Sequence, residues 1–169
     1  MKNYTINIDW EGPLSMQDVI TTKNNGGSGS DGWAGCDYGV YQIYGPHILG
    51  DNNALLYVGK ASDQTFSQRF RQHKKDLLVD ENVEEIKIYL GRLKDQPQYS
   101  KENNWGIWYR DVDIAESIMI YKYSPHYNSA CLTEYPNLYL YDKIVLNHTG
   151  SKARLKPEDN APSDFKAKL

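Results

Sequence analysis

GVYQIYGPHILGDNNALLYVGK, residues 39–60, is the stretch on which the fold turns. It carries one small pattern twice, Gly39-Val40-Tyr41 and then, reversed, Tyr57-Val58-Gly59. Gly39–Tyr44 and Leu55–Lys60 are rich in β-branched and aromatic residues, and Gly45-Pro46 and Gly50-Asp51-Asn52 lie between them. Two strands joined by a turn-bearing loop are therefore expected. Two phenols flanked by glycines on neighbouring strands admit two readings. One is hairpin packing; the other is a site that needs two phenols and a close backbone approach.

Outward from this hairpin, Tyr4–Trp10 alternates apolar and polar residues and predicts a strand with one buried face. Ser15–Thr22 predicts a short helix, with Ser15 and Asp18 as its capping pair. Residues 23–35, KNNGGSGSDGWAG, read as a loop. Thr65–Val79 predicts a helix opened by Thr65 and Gln68. Glu85–Arg92 alternates at Ile86, Ile88 and Leu90 and predicts a third strand, followed by a polar loop over 93–104. Val112–Tyr123 predicts a helix that stops ahead of Pro125. Residues 138–148 fit either strand or helix, and the last dozen residues read as loosely ordered. The class expected is α/β in the α+β sense: a small mixed, mostly antiparallel sheet flanked by helices.

Composition narrows the function classes. The 169 residues are 40% hydrophobic and 24% charged, as in an ordinary globular chain, and long enough to bury a core. No apolar run is long enough to cross a bilayer, and MKNYTINIDWEG lacks the apolar centre of a secretory signal, so a cytoplasmic protein is expected. Cys36 and Cys131 stand far apart in no metal-ligand spacing, and His47, His73, His126 and His148 are scattered. A net charge of −3 argues against an indiscriminate nucleic-acid coat. Basic residues are nonetheless gathered twice: Lys60, Arg69, Arg71, Lys74 and Lys75 against Asp63 alone, and Lys143, Lys152, Arg154 and Lys156 with no acid among them. Each group suits a phosphate surface or a solvated face.

Helical geometry singles out two charges. Phe66, Phe70 and Leu77 form one stripe of the first long helix, with His73 inside it and Arg69 at its edge. Arg69 and His73, four apart, are neighbours on one face. On the later helix Val112, Glu116, Met119 and Tyr123 form a row in which Glu116 is the one charge. A carboxylate turned inward needs a cation. The candidates are a salt bridge, with Arg69 as partner, or a divalent metal that keeps most of its waters.

The order of these features resembles the GIY-YIG nuclease family. Gly39-Val40-Tyr41 is similar to its first triplet and Tyr57-Val58-Gly59 to its second. Gln68-Arg69-Phe70-Arg71-Gln72-His73 resembles the family's helix, Ala115-Glu116-Ser117-Ile118 its metal-ligand glutamate, and Pro125-His126-Tyr127-Asn128 the stretch ending in its asparagine. The resemblance covers 39–130, which sets 1–38 apart as an N-terminal extension and 131–169 as a C-terminal extension with a basic segment. The stretch between Tyr41 and Tyr57 is longer than the family's usual connection.

The resemblance implies a Mg²⁺-dependent endonuclease, with Mn²⁺ as alternative metal, that cuts double-stranded DNA to 5′-phosphate and 3′-hydroxyl ends. A type II restriction enzyme is preferred, acting as a homodimer or in paired events. A stand-alone repair or degradative nuclease and a non-catalytic nucleic-acid-binding module are the alternatives. In the implied site Glu116 holds the metal and Arg69 steadies charge on the phosphate, its planar fork suiting that task better than lysine. The water's proton goes to Tyr41, helped by Lys60, or to His73, whose imidazole titrates near neutrality unaided. Tyr57 positions, Gly59 admits close backbone approach, and Asn128 orients groups beside the metal. Strand parity places Lys60 on the face opposite Tyr57 and Gly59.

Overall fold

The computed structural model describes residues 3–21, 38–47, 52–76, 85–93, 105–129 and 143–161. In chain order these form β1 (Asn3–Leu14), α1 (Met16–Thr21), β2 (Gly39–Gly45), β3 (Ala54–Ala61), α2 (Phe66–Asp76), β4 (Lys87–Leu93), α3 (Trp105–Tyr123), β5 (Lys143–Gly150) and β6 (Glu158–Asn160). The strands make one sheet in the order β3-β2-β4-β1-β5-β6. β1 and β5 run parallel, and the other neighbouring pairs are antiparallel. This is the mixed α+β class expected.

The two tyrosine triplets face each other across the β2–β3 ladder, with Tyr41 opposite Gly59 and Gln42 opposite Val58. Side-chain alternation then divides the hairpin between the two faces of the sheet. Val40 and Val58 turn towards Val112, Ala115 and Met119 of α3. Tyr41 and Ile43 turn the other way, towards Phe66 and Phe70 of α2 and Met16 of α1. One helix layer therefore covers each face, and β3 is the strand at the edge where the two layers meet.

Both short-range caps form as read. Asp18 N–H donates to Ser15 Oγ (3.0 Å) and Ser15 N–H to Asp18 Oδ2 (2.9 Å). Gln68 N–H donates to Thr65 Oγ1 (3.3 Å) and Thr65 N–H to Gln68 Oε1 (2.9 Å). Each pair satisfies backbone donors that the first helical turn leaves without partners. α3 ends as expected ahead of Pro125, with Ser124 in the left-handed region at φ 45°. It begins at Trp105, however, not at Val112. Gly106 and the aromatics of 105–109 weaken the local helical signal, but Trp108 is buried and packs edge-on against Tyr38, so tertiary contact carries that turn.

The flanking segments are integral to the sheet. β1 lies between β4 and β5, pairing Ile8 with Leu93 on one side and Ile6 with Leu146 on the other. The divisions at 38 and 130 therefore separate segments whose strands share one sheet. The ambiguous stretch resolves into strand from Lys143, with Ile144, Leu146 and His148 turned inward. The strand runs on to Gly150, and Glu158–Asn160 add β6 where loose order was expected. The expectations for Leu77, Cys36, Cys131, the glycine-rich loop and most of 93–104 lie outside the described residues. Among the described residues no helix is long and apolar enough to cross a membrane.

Candidate active site

On the α2 face Tyr41 is the centre. Its phenol is fully buried and lies 2.5 Å from His73 Nε2. Arg69 Nε–H donates to the same oxygen at 3.4 Å, which leaves the phenolic proton for His73. The guanidinium is braced a second time, Nη1 donating to Gln72 Oε1 at 3.1 Å, and Gln72 is itself held by a reciprocal amide pair with Gln64. Tyr57 stacks on Tyr41 with ring centroids 6.1 Å apart. A Cβ on Gly59 would stand 2.4 Å from Tyr41 Oη and 2.6 Å from the Tyr57 ring. This corrects the role read for Gly59: the space it opens is filled by the phenol of its cross-strand partner, not left for phosphate. The reversed triplet is thus hairpin packing and phenol placement at once.

On the α3 face the charges pair differently from expectation. Glu116 meets Lys60, not Arg69: Lys60 Nζ lies 3.2 Å from Glu116 Oε2 and 2.6 Å from Asp113 Oδ1. Strand parity does turn Lys60 away from Tyr57, and that is what delivers its ammonium to α3. Asp113 went unread. Its signal was present, since Asp-x-x-Glu at i, i+3 sets two carboxylates on one helix face. The side chains grade from half-exposed Asp113 (53%) through Lys60 (37%) to nearly covered Glu116 (17%).

Charges of one face act on groups of the other. Burial pushes the Glu116 carboxyl above its ordinary value, Lys60 pulls it back, Asp113 adds to the rise and Arg69 opposes it. Burial likewise raises Tyr41, with Tyr57 adding to the rise, Arg69 opposing it and Glu116 contributing. For Lys60, burial works against the charge, but Asp113 and Glu116 outweigh it and hold the ammonium above its usual value. Arg69 and Glu116, on different helices and opposite faces, are therefore felt at one phenol.

Asn128 closes the outer side of β3. Val58 N–H donates to Asn128 Oδ1 (2.9 Å) and Asn128 Nδ2 donates to Val58 O (2.8 Å). Next to it, His126 and Tyr127 N–H donate to Leu55 and Leu56 carbonyls. The side-chain amide imitates a strand residue and fixes β3 between Tyr57 and Gly59. Its contact is with backbone, so it sets the strand on which the tyrosine and lysine ride.

Among the described residues no three His, Cys, Asp or Glu side chains gather as a ready metal cage. A hydrated Mg²⁺ needs only one or two carboxylates. The point between Asp113 and Glu116 already accommodates a cation, the Lys60 ammonium, so the donor chemistry fits such an ion.

The remaining histidines stay apart from this site. His47 and His126 stack on each other at 3.8 Å. His148 is buried in β5, where Trp10 Nε1–H donates to its Nδ1 (3.0 Å) and its Nε2 faces Asp159 Oδ2 (3.3 Å). Asp159 also accepts from Tyr123 Oη (2.6 Å) and meets Lys122 Nζ (2.5 Å). Tyr44 buries its hydroxyl and donates to Gln42 Oε1 (2.8 Å). Comparison of the chain with protein-family models, with curated proteins and with solved structures finds no match in any of the three.

Proposed function

We propose that the chain is a Mg²⁺-dependent DNA endonuclease of type II restriction character, cutting double-stranded DNA to the 5′-phosphate and 3′-hydroxyl ends that the GIY-YIG resemblance implies. The observation that carries this reading is the cluster at Tyr41, whose buried phenol bonds both His73 and Arg69, with Glu116 paired to Lys60 of the same hairpin on the other face. Phosphodiester hydrolysis needs a positioned cation, a proton acceptor and donors for the crowded phosphate oxygens.

Arg69 supplies the donors. With Nε given to Tyr41 and Nη1 to Gln72, its orientation is set before substrate arrives. Glu116 is the metal ligand, and Mg²⁺ or Mn²⁺ bound there would act as Lewis acid on a phosphate oxygen and the leaving oxygen. Tyr41 and His73 serve as one hydrogen-bonded acid–base unit, so the choice between phenol and imidazole becomes a question about a coupled pair. Burial disfavours a free phenolate at Tyr41, and the Arg69 guanidinium that bonds the phenol offsets part of that cost. Tyr57 shields the pair and Asn128 fixes the strand beneath it.

A module that binds without cutting draws on a different observation, that Lys60 already neutralises Glu116. Incubating purified protein with plasmid and Mg²⁺, beside Glu116→Gln, separates the readings. Discrete fragments that disappear in the variant support the restriction nuclease. Smearing without preferred ends indicates a degradative enzyme, and tight binding with no cleavage in any divalent metal indicates the binding module.

A further inference from the structure

We propose that Asp113 is the seat that retains the Lys60 ammonium when a divalent cation takes Glu116, so that lysine and metal exchange at one carboxylate without the lysine leaving the site. The inference rests on the nuclease reading and adds a positioning residue to it. Three observations carry it. Lys60 Nζ lies closer to Asp113 Oδ1 (2.6 Å) than to Glu116 Oε2 (3.2 Å), so it can withdraw from Glu116 while keeping its shorter bond. The carboxylates also differ in need. Asp113 is half exposed and water can solvate it, whereas Glu116 is nearly covered and its charged form depends on a neighbouring cation. Finally, three residues of helix hold both acids on one face, so the ammonium moves between them by rotation of its own side chain.

Charge explains why a second acid is present. Two carboxylates and one ammonium leave one negative unit, which attracts a divalent cation. Once that ion is bound the balance is one positive unit, matched to one phosphodiester. Without Asp113 the ion would meet a neutral pair and would have to expel Lys60 into solvent. Asp113 thereby keeps the ammonium at the site as a second cation, on the face opposite Arg69.

The test is Mn²⁺ binding by calorimetry to the full chain, with thermal melts to verify folding, for wild type, Lys60→Met, Asp113→Asn and the double variant. Lys60→Met is expected to tighten Mn²⁺ binding by about threefold to tenfold, because no ammonium has to be displaced. Asp113→Asn is expected to weaken it by a similar factor, and that weakening should vanish in the Lys60→Met background. Equal weakening by Asp113→Asn in both backgrounds makes Asp113 a plain field or ligand and overturns the proposal. Unchanged affinity in Lys60→Met overturns it too, while leaving the metal reading of Glu116 intact. Folded proteins that bind no Mn²⁺ with or without Lys60 defeat the metal reading itself, and this inference with it.

Discussion

α3 carries two lysine–carboxylate clusters, and they have opposite characters. At mid-helix Asp113 and Glu116 share Lys60 beside the sheet's edge strand β3, and Lys60 and Asp113 remain partly exposed. At the C-terminal end Lys122 and Tyr123 reach Asp159, whose side chain is fully covered along with that of His148. Burial is the largest influence on both Glu116 and Asp159, yet the outcomes differ. Glu116 ends above its ordinary value because burial, with neighbouring Asp113 adding to it, outweighs Lys60 and Arg69. Asp159 ends below it because His148, Lys122 and Tyr123 together outweigh burial. A carboxylate whose neighbours outweigh its burial is a structural pin; one whose neighbours fall short of that keeps an appetite for a cation.

The sharpest way to break this contrast is Asp159→Ala. It takes the shared acceptor from buried His148 and from the partly covered Lys122 ammonium and Tyr123 hydroxyl, and a loss of about 3 kcal/mol is expected in a denaturant titration. Mn²⁺ binding by the folded fraction should not change, whereas a parallel loss of metal affinity would show that the clusters are coupled. Next comes Arg69→Ala, for which cleavage should fall by on the order of 10²- to 10³-fold with a melting temperature near wild type. If melting falls as steeply as activity, Arg69 belongs with the pins.

Gly59→Ala drives a methyl into the Tyr41 phenol, which is buried and cannot swing aside. Destabilisation of about 1–3 kcal/mol is expected by chemical melting. The smallest effects are those of pH. The stability conferred by Asp159 is full above the ordinary carboxylate value of 3.8 and is lost as pH falls through its lower folded value. Asp159→Asn should therefore be less stable than wild type at neutral pH, and the two should converge in acid. For Glu116 the sign reverses: its contribution is full below 4.5 and declines as pH rises through its raised folded value. Glu116→Gln should accordingly melt slightly above wild type at pH 7, with the gap closing towards pH 4.

What could be read from the sequence was local. The capping pairs at Ser15 and Thr65, the facing triplets, and the Arg69–His73 spacing are decided within a few residues, and each took its expected form. The partner of Glu116 was missed because Lys60 is brought to it by strand parity and an edge position, and neither is visible until the sheet is assembled. His148 was read only as one of four scattered histidines, because its partner Trp10 lies 138 residues away along the chain. The same distance hid the place of β1, whose alternation declares a strand but says nothing of which two neighbours will flank it.

The asparagine amide laid along Val58 has a further consequence. An exposed outer strand offers a row of peptide groups on which other chains can nucleate fibres. Here one side chain and the two peptide N–H groups before it occupy part of that row beside the reactive groups. Replacing Asn128 by alanine would uncover the Val58 peptide, making slow self-association in concentrated solution the symptom to watch for.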